Sequence, residues 1–166
     1  MKRFTALLLA LLLVFALCAC GALEPQEITY ENMTTKISPA FQYDEEIDGY
    51  ACGDATVYFT LDTAGEIKSN EVYFTAKEYC DAILEELGMD CATQVDHDTG
   101  IVYCQYVDEA EGVDGEMHKY DCITFFFSKV KDDCCEYYIV DCSTLEGQFA
   151  KYEADFWTVA KNATID

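Results

Sequence analysis

Three segments of alternating apolar and polar residues, set close together in the C-terminal half, constrain the fold more than any other feature. They span residues 101–107, 118–130 and 136–142, and a shorter segment spans 91–96. Alternation with a period of two predicts strands. The connection Asp98-Thr99-Gly100 suits a tight hairpin. Short connections of this kind place successive strands antiparallel to one another.

The N-terminal half adds three predicted strands. Residues 33–37 alternate up to Pro39, and residues 41–47 are expected to pair with them. Residues 56–61 form a clear alternating strand that places Val57, Phe59 and Leu61 on one face.

Two helices are predicted from capping signals and from apolar residues at helical spacing. Thr75 and Glu78 form a capping box for the first helix, and Gly88 ends it. A second box, from Ser143 to Glu146, is expected to open the C-terminal helix. The predicted fold is therefore α+β, with an antiparallel sheet of about six or seven strands packed against two helices. The expected order is β-β-β-α-β-β-β-β-α.

The first residues are typical of an export signal. Two cationic residues, Lys2 and Arg3, precede an apolar run over residues 4–19. That run is shorter than the roughly 20 apolar residues of a membrane-spanning helix, so a single-span anchor is the weaker alternative. An ordinary secretory signal with incidental cysteines is the other.

The end of this run, residues 17–21 (Leu-Cys-Ala-Cys-Gly), resembles a bacterial lipoprotein signal box. The resemblance implies a diacylglyceryl group on Cys20 and cleavage before it. Two acyl chains suffice for stable anchoring. We therefore expect a signal peptide over 1–19, a lipidated tether over 20–27 and a single domain over 28–166. The expected location is the outer face of the cytoplasmic membrane.

Charge excludes one class of partner. Loss of Lys2 and Arg3 with the signal changes the net charge from −22 to −24 and leaves eight lysines and no arginine. Binding to nucleic acid depends on clustered basic residues that neutralise phosphates, so nucleic acid is not an expected partner. Besides the membrane, reached through the lipid on Cys20, the expected partners are an envelope protein or a cell-wall glycan.

Eight cysteines remain after the lipidation site, at positions 52, 80, 91, 104, 122, 134, 135 and 142. In an exported chain they either pair as disulfides or serve as small apolar core residues, and the sequence leaves both open. No C-x-x-C motif is present, which disfavours zinc and thiol redox chemistry. Residues 96–100 lack the spacing of a calcium loop and are interpreted as a polar turn. No metal and no cofactor are expected.

The strand-rich start, residues 101–106 (Ile-Val-Tyr-Cys-Gln-Tyr) and the closing segment from Phe149 to Ala163 resemble small exported lipoproteins of Gram-positive bacteria. These in turn resemble the PsbP-like α/β fold, named for an extrinsic subunit of photosystem II. The resemblance covers roughly residues 28–165. It implies an accessory or binding protein, and it offers no functional motif to transfer.

No catalytic residues are predicted, so the expected function is a non-catalytic binding or accessory module for another envelope component. Tyr58, Tyr106 and Tyr138 are the candidate binding face, provided that both helices cover the opposite side of the sheet. Half-buried packing is the alternative interpretation of each tyrosine. A lipoprotein that binds a small ligand or a divalent cation is the alternative function. A thiol-dependent or hydrolytic enzyme is a further one.

Overall fold

The computed structural model describes residues 24–64, 75–112, 115–132 and 134–166. The predicted signal peptide and Cys20 lie outside these residues. Most segments that alternate in the sequence form strands, but the segment predicted at 91–96 is a strand only at Gln94–Val95. The expected order of three strands before the first helix is wrong, because in the described chain five strands precede it and one follows the second helix. The elements are β1 (Gln26–Tyr30), β2 (Met33–Ile37), β3 (Gln42–Asp44), β4 (Gly49–Cys52), β5 (Ala55–Ala64), α1 (Ala76–Leu87), β6 (Gln94–Val95), β7 (Val102–Glu111), β8 (Met117–Val130), β9 (Cys135–Leu145), α2 (Phe149–Lys161) and β10 (Thr164–Ile165).

The strands form two antiparallel sheets. The larger one has the order β3-β4-β5-β9-β8-β7-β6, and the smaller one has the order β1-β2-β10. The long central strands β5, β9, β8 and β7 are paired along most of their length. This register decides which side chains share a face, because a shift of one residue would turn every side chain to the other side.

One face of the large sheet, the α2 face, carries the main core. Alternate residues of β5, β8 and β9 point to α2 and to the small sheet, and Val57, Phe125 and Val140 are among those that are fully buried. From α2, Phe156 and Val159 enter the same cluster. The buried Thr35 hydroxyl of β2 donates a hydrogen bond to the Val159 carbonyl, which ties the small sheet to the helix.

The opposite face, the α1 face, carries a smaller core under α1. Tyr79 of α1 stacks on Tyr137 of β9, with ring centroids 3.9 Å apart and planes within 5°. The Tyr79 hydroxyl donates a hydrogen bond of 2.6 Å to Asp62 of β5. Cys80 packs beside it against Cys104 of β7. The two helices therefore cover opposite faces of the sheet, and the condition on which the candidate tyrosine face depended is not met.

The fold class is confirmed: two helices and an antiparallel sheet of seven strands form an α+β domain, joined by a small three-stranded sheet. The capping box of α1 is also confirmed, with Thr75 and Glu78 bonded reciprocally, and Gly88 ends the helix with a φ of 64°. Strand β1 begins at Gln26, inside the segment predicted as tether. Within the described residues, no helix combines the length and apolar character needed to cross a membrane.

Two local expectations are wrong. Residues 41–47 do not pair with β2, because a turn from Ser38 to Phe41 leads the chain into the other sheet, where β3 pairs with β4. The box from Ser143 to Glu146 does not open a helix, because β9 continues to Leu145 and pairs there with β5 and β8. Strand pairing supplies backbone hydrogen bonds along the whole segment, which a local cap cannot match. Helix α2 begins at Phe149, after a turn at Gly147.

Candidate binding site on the sheet

A band of polar side chains crosses the α1 face beside the helix. Strand register places Tyr58, Asp141, Thr124 and Cys104 in one row on β5, β9, β8 and β7. The next row holds Thr56, Ser143, Cys122 and Tyr106 on the same four strands. We refer to these eight residues as the polar band.

Asp141 is the acidic group of the polar band. Its carboxylate accepts a hydrogen bond of 2.7 Å from the Thr124 hydroxyl. Burial raises the pKa of the Asp141 carboxyl above its usual range, and the bond from Thr124 opposes that shift. A carboxyl in such a place is held less firmly in its charged form than a surface one. It can therefore both accept a hydrogen bond and donate one near its pKa.

Tyr106 extends this network to the neighbouring strand. Its hydroxyl lies 3.3 Å from the Thr124 hydroxyl, so Tyr106, Thr124 and Asp141 form one hydrogen-bonded chain. Burial raises the pKa of the Tyr106 hydroxyl, so this group stays protonated at neutral pH.

Tyr58 lies on β5, at the opposite end of the polar band from Tyr106. It is half-buried, and a side chain at Gly49 of β4 would meet the Tyr58 ring at 2.8 Å. The missing side chain of Gly49 therefore makes room for the ring, which lies toward the β4 side. Tyr58 and Tyr106 are separated by β9 and β8, a span of about 14 Å at the usual strand spacing.

The three predicted tyrosines do not share a face, and the inclusion of Tyr138 is wrong. The register of β5 and β9 pairs Tyr138 with Leu61, which places it on the α2 face. There it is fully buried, and its hydroxyl donates a hydrogen bond of 2.9 Å to Glu136. Tyr58 and Tyr106 do lie on one face, the α1 face. Their role in binding stays a prediction, and so does lipid attachment at Cys20.

The polar band combines hydroxyl groups, one carboxyl, two buried thiols and two aromatic rings. Hydroxyls and a carboxyl recognise other hydroxyl or amide groups by hydrogen bonding, and tyrosine adds apolar contact area beside a polar tip. The strongly acidic chain disfavours polyanionic ligands. The arrangement therefore suits a neutral, hydroxyl-rich or amide-rich surface, or a cationic one.

Sequence reasoning missed Asp141 and Thr124. A signal was present, because Asp141 interrupts the run Tyr-Tyr-Ile-Val at 137–140 and shares its strand face with Tyr137 and Ile139. A charged residue on a half-buried strand face calls for a polar partner. The identity of that partner depends on the pairing of β8 with β9, which the sequence does not state.

The structure also describes the segment that was weighed as a calcium loop. Residues 96–100 form the polar turn between β6 and β7, in which the Asp96 carboxylate accepts hydrogen bonds from Thr99. Among the described residues, no group of His, Cys, Asp or Glu side chains is arranged to hold a metal ion.

Comparisons with known proteins give structural neighbours and no sequence relatives. No protein-family model matches the chain. No curated protein matches it in sequence. Among solved structures, it is similar to the solution structure of cyanobacterial PsbP (CyanoP) from Synechocystis sp. PCC 6803, with a TM-score of 0.47 and 11% identity over 89% of this chain and 97% of that one.

A second neighbour is a protein from Bacteroides thetaiotaomicron VPI-5482, with a TM-score of 0.42 and 10% identity over 85% of this chain and 41% of that one. Likeness of this degree says nothing about ligand or activity. The function is therefore argued from the residues of this chain alone.

Proposed function

We propose that this protein is a lipid-anchored extracytoplasmic module without catalytic activity, which binds or supports another component of the cell envelope. Cys20 attaches it to the outer face of the cytoplasmic membrane. The folded domain then contacts its partner through the half-buried members of the polar band, Tyr58 and Tyr106 foremost.

The observation that supports this proposal is the hydrogen-bonded chain Tyr106–Thr124–Asp141 with Tyr58 at its far end. These groups occupy the centre of a long, well-paired sheet. Apolar residues at these positions would stabilise the fold more, because their burial carries no desolvation cost. A half-buried carboxyl there costs desolvation. Its presence is explained if an external partner contributes to its hydrogen bonding.

The first experiment is in-cell crosslinking of the tagged full chain, followed by mass spectrometry. The expected result is an envelope protein or a wall glycan fragment that is captured by the wild type and lost with Cys20→Ala, since that variant is released from the membrane. Loss of the crosslink with Cys20→Ala tests the anchor, and the next comparison tests the site.

A variant with Tyr58→Ala and Tyr106→Ala should remain in the membrane fraction yet lose the crosslinked partner. Tyr43→Ala is the matched control, because Tyr43 is a 54% exposed tyrosine on β3, away from the polar band. Equal capture by the double variant and by Tyr43→Ala would refute a role for the polar band. A wild-type protein that remains soluble after cell fractionation would refute the anchor.

A further inference from the structure

Three cysteine side chains meet at the junction of α1, β7 and the segment before β6. Cys80 of α1 and Cys104 of β7 are fully buried and pack in one cluster, and Cys91 packs against it from the loop after α1. The Cys104 thiol interacts with both other thiols and affects the pKa of each. All three are free thiols in this structure. They lie 11 to 24 positions apart in the sequence, so no short sequence motif predicts that they meet.

Strand register explains why they meet. Gln94 pairs with Tyr103 and Val95 with Val102, so the residues just before β6 run along β7 past Cys104. Thr93 then donates a hydrogen bond of 3.2 Å to the Cys80 sulfur. Cys91 is the half-buried member of the cluster and lies in irregular chain, outside any helix or strand. A reagent from solvent therefore reaches Cys91 before the other two.

The electrostatics of the cluster separate the roles of the buried pair. Hydrogen bonds from Cys104 and Thr93 lower the pKa of the Cys80 thiol to about 7, although burial opposes them. The same contact raises the pKa of Cys104, which keeps its proton and donates it toward Cys80. Cys80 is therefore the more acidic thiol of the buried pair, and Cys104 keeps its proton until a stronger base removes it. A thiolate is the form that attacks a disulfide.

We propose that Cys91 and Cys104 form a reversible disulfide by exchange with an external disulfide. The Cys91 sulfur attacks the external disulfide, which gives a mixed disulfide and releases one thiol. The Cys104 sulfur then attacks the Cys91 sulfur, and its proton passes to the departing sulfur, so that the second half of the external disulfide leaves as a thiol. The external disulfide is reduced to two thiols, and two cysteines of this chain are oxidised.

This bond would affect the polar band directly. Cys104 is the register partner of Thr124, and Tyr106 follows it by two residues on the same strand. Oxidation would fix the loop after α1 to β7 beside these groups. The inference does not depend on what the polar band binds.

The test uses the full chain, fully reduced and then exposed to oxidised glutathione at neutral pH. After acid quenching, denaturation and alkylation, digestion before aspartate separates the three cysteines, because cleavage occurs ahead of Asp81, Asp90 and Asp98. The expected product is a peptide beginning at Asp90 joined to one beginning at Asp98. Trypsin would not serve, since no lysine or arginine lies between Lys77 and Lys119.

Cys104→Ala should abolish the joined peptide and leave Cys91 as a glutathione adduct. The matched control is Cys122→Ala, which removes a buried thiol of the neighbouring strand β8 and should leave the bond intact. Cys80→Ala removes the third thiol of the cluster and should leave the joined peptide in place, and loss of the joined peptide in that variant would contradict the pairing of Cys91 with Cys104. Raising the pH should speed bond formation, because solvent base then removes the Cys104 proton.

The wild-type peptide map decides the proposal even if a variant does not fold. Disulfides on other cysteines, or a glutathione adduct on Cys91 that never resolves, would overturn it. So would zinc ions that protect all three thiols from alkylation while no disulfide forms, since the cluster would then be a metal site.

Discussion

Replacement of Tyr138 by alanine distinguishes a core tyrosine from a binding-face tyrosine. Tyr138 is fully buried on the α2 face beside Leu61 and Phe127, its partners across β5 and β8. Truncation of a fully buried aromatic residue costs about 3–5 kcal/mol, through lost burial and the cavity left behind. Domains of this kind are stable by only about 5–15 kcal/mol. We therefore expect Tyr138→Ala to remove a large share of the free energy of unfolding.

The assay is urea denaturation followed by circular dichroism. The control is Tyr58→Ala on the opposite face, where a half-buried ring should cost less than about 2 kcal/mol. Tyr138→Phe separates the hydroxyl from the ring, and loss of its bond to Glu136 should cost about 1.5 kcal/mol. Equal losses for Tyr138→Ala and Tyr58→Ala, both below about 1 kcal/mol, would refute the assignment of Tyr138 to the core.

Three further substitutions test the site and its support. Because the pKa of Asp141 is raised in the folded state, its contribution to stability is fully present below the usual value of 3.8 and is lost as the pH rises through the folded pKa. Asp141→Asn should therefore raise the free energy of unfolding at pH 7 and not at low pH, whereas the exposed Asp108→Asn should show no such difference. The Thr144 hydroxyl is buried and has no hydrogen-bond partner within the described chain, so Thr144→Val should raise stability by about 1 kcal/mol in thermal denaturation. Gly49→Ala should cost about 1–3 kcal/mol and displace the Tyr58 ring, which a change in tyrosine fluorescence would report; unchanged stability would contradict the close contact.

Local patterns predicted the strands and the first helix well. Residues 56–61 and 118–130 lie within β5 and β8, and the Thr75–Glu78 box begins α1 where expected. Both signals are read within a few residues of chain. The box from Ser143 to Glu146 failed for the opposite reason, because hydrogen bonds to two distant strands hold those residues in β9.

The candidate site was only half predictable. Alternation within each strand assigned Tyr58 and Tyr106 to the same sheet face correctly. It assigned Tyr138 to that face as well, and this was wrong. The difference comes from register between β5 and β9, which joins residues about eighty positions apart. Thr124 and Asp141 are polar residues in apolar strands, and only the pairing of β8 with β9 shows that they bond to each other.

The sequence by itself determined the α+β class, the excess of acidic residues and the predicted export signal with Cys20, because each depends on composition or on neighbours along the chain. The tertiary structure alone decided that the helices cover opposite faces, that the polar band lies beside α1 and that Cys80, Cys91 and Cys104 meet. These features depend on which apolar surfaces pack together. The hydrophobic effect is not directional and acts between any two apolar surfaces, however far apart they are in the sequence. Which surfaces pack together therefore depends on the whole chain.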